Sequence, residues 1–404
     1  MQIKNAALIL LIFVCTQTFA QSKGDIVMGR IDTLHSAILN EKREILIYVP
    51  KAGNNNVKVE ASYPVLYLLD GYAAFHSVTG VVQHLSSIGK IPKMIVVAIS
   101  NTDRVRDLTP THSTEWSDGT VDSSALKTSG GGEKFILFLE KELIPHIESN
   151  YHTDPYRMFV GHSLGGLTVL NTLINHPSLF NSYVAIDPSI WWDQQSLLKK
   201  ANTVLAQKNF AGKKLFYAAA NTMEKGMDMV RVVKDTAIKN VHVRNNLKFR
   251  EVLLKNKKNQ LVWDWKYYHE DNHSSVPLIA AYDAFRSFFK GFELADDLND
   301  PLVDLKFVQN HYKKVSAMLG YNVMPPENTV NILGYINLEN KDYAKAYSFF
   351  KMNIDLYPES FNVYDSMGDY YIARGDKKKA KELLLKALML NEHHDTRKKF
   401  EGLR

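Results

Sequence analysis

The stretch Phe159-Val160-Gly161-His162-Ser163-Leu164-Gly165-Gly166 leaves this chain few ways to fold. Tyr156 to Val160 read as a short buried strand. It runs into a Gly-x-Ser-x-Gly turn, and Leu164, Leu167, Thr168, Leu170 and Asn171 then follow the spacing of an amphipathic helix with no proline before Pro177. A serine on a sharp strand-to-helix turn has its hydroxyl open to a base and room for an acyl adduct, so Ser163 is the candidate nucleophile. A Cβ at Gly161 or Gly165 would crowd that turn. The free N–H groups of the helix start point at the same spot, which makes the Leu164 N–H a first donor to an oxyanion. At average glycine and serine usage the pentapeptide arises by chance in roughly one chain in ten of this length, so the flanking strand and helix carry the assignment.

Strand-like segments recur on both sides of the turn. Residues 26–35 and 44–49 flank a polar turn and predict an antiparallel hairpin at a sheet edge. Tyr63 to Leu69 and Met94 to Ile99 are fully apolar, as central parallel strands are. Tyr183 to Ile186, Lys214 to Ala219 and Val262 to Tyr268 follow, with helical segments between. The alternation predicts a doubly wound, mostly parallel α/β sheet.

In such sheets function sits beyond the carboxyl ends of the strands. Asp70-Gly71-Tyr72 ends one of them and is expected to supply a second oxyanion donor, the N–H of Tyr72, with Gly71 as the alternative. The long segment Ser100–Gly132 carries Arg104 and Arg106, candidate contacts for an anionic substrate group; an ion pair with Asp107 is the competing account. Its closing Ser129-Gly130-Gly131-Gly132 lacks the Lys-Ser/Thr of a phosphate loop and reads as a hinge. Trp191 and Trp192, after the Asp187-Pro188-Ser189 strand end, would wall an acyl or sugar pocket or else pack in the core.

The base must reach Ser163 from another strand end. Among 14 histidines, His273 lies in the last strand-to-helix loop, where the chain order Ser, acid, His places it. His269 comes too early, and His162 cannot easily fold back onto its neighbour. Glu224, after the penultimate strand, is the expected acid, with Asp228 and Asp187 as competitors and Glu270 and Asp271 nearby.

Length and composition bound the rest. The 404 residues allow a large domain and a smaller one. Residues 1–20 carry Lys4, an apolar run from Ala6 to Val14 and a small-residue end at Ala20. They predict a signal peptide, removed to leave a periplasmic or secreted protein. The single cysteine, Cys15, lies inside that leader, so disulfides and cysteine metal sites are excluded from the mature chain; lipidation at Cys15 is the weaker alternative. The net charge of +6 is scattered, with no stripe of arginines and aromatics for nucleic acid and no later run long enough to span a bilayer. No metal or cofactor is expected.

The runs PVLYLLDGYAAF, IVVAISNTDRVRDLTPT, GHSLGG and EDNHSSVP together resemble the esterase D-like family of α/β hydrolases. Its relatives include siderophore, feruloyl and acetylxylan esterases and mycolyltransferases. The resemblance covers about residues 25 to 295. It implies carboxylic ester hydrolysis through an acyl-serine intermediate, with Ser163 and His273 carried over by motif. It leaves the acid open, because siderophore-cleaving relatives sometimes lack one. Siderophore lactones or polysaccharide-linked esters are the leading substrates, and an acyltransferase of the same fold is the alternative.

After Asp300-Pro301 the composition shifts to helix formers. Gly334 and Gly368, Ala346 and Ala380, Phe350 and Leu384, Leu356 and Leu390 are each 34 residues apart, which resembles a pair of tetratricopeptide repeats. The expected organisation is therefore a leader over 1–20, a hydrolase domain over 21–298 and a helical domain over 299–404. The repeats would hold a protein partner, mediate self-association or simply cover the hydrolase; as a binding module on a degenerate scaffold, they are the rival account of the whole chain.

Overall fold

The computed structural model describes residues 26–51, 61–295 and 297–403. The leader expected over residues 1–20 lies outside the described residues.

Eight strands form one sheet: β1 (Arg30–Ser36), β2 (Glu41–Tyr48), β3 (Tyr63–Leu68), β4 (Ile95–Ile99), β5 (Thr153–His162), β6 (Ser182–Ile186), β7 (Lys214–Ala220) and β8 (Val262–Tyr268). Their spatial order is β1-β2-β4-β3-β5-β6-β7-β8. The β1–β2 hairpin is antiparallel and β2 joins β4 antiparallel; every later pair is parallel. This is the doubly wound sheet that the sequence predicts. The hydrophobic pattern follows from position: β4 and β6 are buried along their whole length, while edge strand β8 alternates exposed and half-buried residues until Tyr268.

Both faces are covered. On one, Val65, Tyr67, Ile95, Val97 and Phe159 pack with the elbow helix Leu164–Asn175; on the other, Leu66, Leu68, Val96 and Val160 pack with helices Gly71–Ser87 and Val276–Phe288. The elbow helix departs from the amphipathic expectation, since every residue from Leu164 to Ile174 is buried. Its outer side is roofed by the segment after β4, where the Thr168 hydroxyl donates to the Leu108 carbonyl at 3.0 Å.

That roof also corrects the hinge reading of Gly130 to Gly132. The Gly130 N–H donates to Thr109 Oγ1 at 2.7 Å, Gly131 to the Arg106 carbonyl and Gly132 to the Thr109 carbonyl. A Cβ on any of the three would meet backbone or side-chain atoms at 2.7 Å. The glycines permit close packing of two backbone runs rather than motion.

Beyond residue 300 the chain is helical. Helix Leu305–Leu319 packs Val315 and Leu319 into the core beneath the sheet, and Tyr321 donates to Asp154 Oδ2 at 2.9 Å. Two helical hairpins follow, Glu327–Glu339 with Tyr343–Leu356, and Phe361–Ala373 with Lys377–Leu390; their starts are displaced by 34 residues. Gly334 lies directly against the Phe350 ring, and Gly368 against Leu384. Among the described residues no helix is long and apolar enough to cross a membrane.

Candidate active site

Strand β5 delivers Ser163 at its carboxyl end in a backbone conformation of φ 60° and ψ −117°. That region costs an ordinary residue of order 1–3 kcal/mol, and local geometry holds it there. The Ser163 N–H donates to the Ile186 carbonyl at 3.0 Å, and its own carbonyl accepts from Leu167 and Ser189, each at 3.0 Å. Gly161 makes the turn feasible, because a Cβ there would lie 2.4 Å from the Gly165 carbonyl oxygen. Among the described residues the Ser163 hydroxyl has one hydrogen-bond partner, Ser189 Oγ at 3.3 Å.

The oxyanion candidates converge from two helix starts. Leu164 begins the elbow helix, and Gly71 and Tyr72 begin helix Gly71–Ser87, so their N–H groups have no intrahelical acceptor. A Cβ on Gly165 would stand 3.3 Å from Asp70 Oδ2, which measures how closely the two starts approach. Arg104 holds them together. Its Nε and Nη2 donate to the two Asp70 oxygens at 2.6 and 3.0 Å, and Nη2 also reaches the His162 carbonyl at 3.4 Å. The guanidinium expected to meet substrate is thus committed to the loop after β3. Arg106 is bound to Asp107 and Glu41 at 2.7 and 2.8 Å, the ion-pair alternative left open by its sequence.

The candidate base and a carboxylate partner come from the other side of the elbow. His273 Nδ1 lies 2.5 Å from Asp187 Oδ2, and the Asp187 carboxylate is fully buried at the end of β6. Glu224 does not take this place. It sits 40% exposed, 3.2 Å from Lys239, beyond the end of β7. The correction has a local cause: Asp187 adopts a left-handed φ of 41°, and the N–H of Ala220 donates to its Oδ1 at 3.0 Å, which draws the carboxylate under the β7 end. Asp228 caps helix Met229–Lys234 and pairs with Arg231.

A second histidine, which no local motif marks, shares that carboxylate. His242, on helix Val241–Lys255, places Nε2 3.0 Å from Asp187 Oδ2, and its Nδ1 accepts from the Trp191 indole N–H at 3.1 Å. An indole nitrogen only donates, so Nδ1 of His242 is bare and its proton resides on Nε2, facing Asp187. Asp187, His242 and His273 also place three ligand atoms within 4.8 Å, a spacing compatible with a metal ion. The Trp191 contact opposes that use, since a metal on Nε2 would need the proton moved to Nδ1, against the indole N–H. Burial raises the Asp187 carboxyl, but the two histidines and the Ala220 N–H outweigh it and hold the group well below the usual carboxylate range. The His162 ring centre lies 4.4 Å from that of His273 at a tilt of 41°, and burial, reinforced by the neighbouring His273, brings the His162 pKa down to about 4.

The two tryptophans divide. Trp192 is 1% exposed and donates to the Thr111 carbonyl at 3.0 Å, the packing alternative. Trp191 lines an open recess with Trp116, their ring centres 6.5 Å apart.

Residues 36–289 match the family model described as "Putative esterase". The chain belongs to this family. Ferri-bacillibactin esterase BesA of Bacillus subtilis is 35% identical over 184 residues, covering 42% of this chain and 63% of that protein. The siderophore enterobactin esterase of Emericella nidulans is 30% identical over 159 residues, 35% of this chain and 51% of that protein. The chain thus spans between half and two thirds of the length of these curated relatives. Among solved structures, an IroE-like serine hydrolase from Shewanella oneidensis aligns with a TM-score of 0.69 at 31% identity, over 81% of this chain and 99% of that one.

Proposed function

We propose that the protein is a serine carboxylic ester hydrolase acting on siderophore esters, with Ser163 as nucleophile, His273 as general base and Asp187 as its orienting acid. The observation that carries this reading is the Asp187–His273 contact at 2.5 Å beside a strained Ser163. Because Asp187 accepts from Nδ1 of His273, the proton of the neutral ring sits there and Nε2 is bare to take a proton. The Ser163 hydroxyl leaves Ser189, gives its proton to Nε2 and attacks the ester carbonyl. The tetrahedral oxyanion draws the N–H groups of Leu164 and Tyr72. His273 then protonates the departing alcohol, and water repeats the sequence on the acyl-serine.

The relatives support the substrate class, since the two curated proteins above are named for siderophore hydrolysis. The leader read over residues 1–20 would carry the enzyme out of the cytoplasm, and the 34-residue offset of the helical hairpins supports a tetratricopeptide-like reading of them.

Intact-mass spectrometry after a fluorophosphonate probe tests the nucleophile. One adduct is expected on the wild-type chain, none on Ser163→Ala, and slow labelling on His273→Ala. A folded wild-type chain that takes no adduct refutes the serine mechanism.

A further inference from the structure

The loop that carries His273 stands beyond the reach of strand pairing. The β7–β8 ladder ends at the pair Ala220 and Tyr268. Residues His269 to His273 lie past it, and the side chains of His269 and Glu270 are 78% and 86% exposed. Within the loop, Asn272 Oδ1 accepts the N–H groups of Ser274 and Ser275 at 2.9 and 3.1 Å, and Ser275 Oγ donates to Asp271 Oδ1 at 2.8 Å. These bonds join loop residues to one another. They fix the shape of the loop and not where it stands against the sheet.

Asn221 supplies that second constraint. It follows β7 directly, and the Thr222 N–H returns to the Ala220 carbonyl at 3.1 Å, a tight turn centred on Asn221. The Asn221 N–H is shared between the carbonyls of Asp271 and Tyr268, at 2.8 and 3.1 Å. Its Nδ2 donates to the His269 carbonyl at 3.0 Å, while its Oδ1 accepts the Met223 N–H at 3.3 Å. The amide is oriented at one end by Met223 and holds the loop with the other. The preceding N–H, that of Ala220, holds Asp187. Two consecutive residues therefore place the carboxylate and the loop whose imidazole meets it at 2.5 Å.

We propose that Asn221 is a positioning residue for His273: its side-chain amide pins the loop so that the base stands ready against Ser163. Asn221 acts through the loop and not on the reacting atoms, and its role rests on the esterase reading. The residue type follows from the partners. A carboxamide offers a donor for the His269 carbonyl and an acceptor for the Met223 N–H on one planar group. An aspartate keeps the shape but turns an acceptor on the His269 carbonyl, and an alanine leaves that carbonyl to water. Neither change cuts the two backbone bonds, so the loop stays attached and the chain folds. What shifts is the direction of the imidazole, and a displacement of about 1 Å near the reacting groups costs on the order of a hundredfold in rate.

The experiment is steady-state hydrolysis of p-nitrophenyl acetate by the full chain and its Asn221→Ala and Asn221→Asp variants, with thermal melts and proton NMR of the Nδ1–H that His273 shares with Asp187. That proton resonates far downfield, and its line is identified by its loss in His273→Ala. In both variants kcat is expected to fall about tenfold or more with KM within about twofold, and the downfield line to move or broaden, while the melts stay cooperative. A chain that is merely less stable shows neither the split nor the spectral change. Asn221→Asp, which keeps the volume, carries the test should Asn221→Ala fail to fold. A folded variant with kcat within about threefold of the parent, or a lost rate with an unmoved downfield line, overturns the proposal. Fluorophosphonate labelling of the wild-type chain separates the two readings. A labelled wild type with fully active Asn221 variants sinks the positioning role and leaves the esterase standing, whereas a folded wild type that takes no label sinks both.

Discussion

Replacing Asp187 by Asn tests the acid assignment most directly, with Glu224→Gln as its counterpart. Asp187 accepts two hydrogens, Ala220 N–H on Oδ1 and His273 Nδ1–H on Oδ2, and His242 Nε2 lies 3.0 Å from Oδ2 outside hydrogen-bond geometry. A carboxamide has one oxygen. With that oxygen kept under Ala220, its NH2 faces the Nδ1–H of His273, with Nε2 of His242 alongside. His273 can relieve the clash by moving its proton to Nε2, which removes the lone pair that Ser163 needs. The same tautomer error in Ser-His-Asp proteases lowers kcat about 10⁴-fold, near 5.5 kcal/mol. His242 is pinned by Trp191 and cannot follow. Part of the clash therefore survives either rotamer, and the loss in acylation rate is expected between about 10³- and 10⁴-fold. Glu224→Gln, which changes an exposed Lys239 pair, should stay within about twofold. Stopped-flow acylation by a p-nitrophenyl ester, with thermal melts to exclude misfolding, reads both. A loss under tenfold for Asp187→Asn, or an equal loss for Glu224→Gln, refutes the assignment.

Three further outcomes follow from the same geometry. Gly161→Ala brings a Cβ to 2.4 Å from the Gly165 carbonyl; it should cost about 2–3 kcal/mol in chemical denaturation and abolish fluorophosphonate labelling, and a variant that melts and labels normally contradicts the elbow argument. Trp191→Phe keeps a ring but removes the N–H that holds His242; kcat should fall roughly three- to tenfold and its acid limb shift, whereas an unchanged pH profile means that His242 has no positioning role. His162 falls from its ordinary 6.5 to about 4 on folding, so the unfolded chain binds the extra proton between those values. The stability it contributes is complete above 6.5 and is lost as pH falls towards 4, a loss of about 3 kcal/mol that His162→Gln should flatten in denaturation curves taken across that range.

Much of the architecture was legible in the chain. Period-two and fully apolar runs marked all eight strands, because strand burial depends on a local pattern that each segment carries itself. The elbow was legible for a similar reason: Gly161, Ser163 and Gly165 act on one another within five residues. His273 could be singled out by chain order. Reading the elbow helix as amphipathic failed because its outer face is covered by a loop some 60 residues away, and Gly130 to Gly132 looked like a hinge because their close partners, Arg106 and Thr109, are not their neighbours in sequence.

The acid is the clearest division. Glu224, Asp228 and Asp187 were all near strand ends, and no sequence pattern ranks them by direction. The left-handed turn at Asp187 and the Ala220 N–H from the adjacent strand aim one carboxylate at His273, and both depend on the β6–β7 pairing. His242 lies on a helix with no motif, and acquires meaning only where that helix meets Trp191. The sequence by itself determined the sheet and singled out Ser163 and His273 as the candidate nucleophile and base, since each rests on local spacing or chain order. Tertiary structure alone decided the charge partners and the recess, because they depend on directions set where distant segments pack.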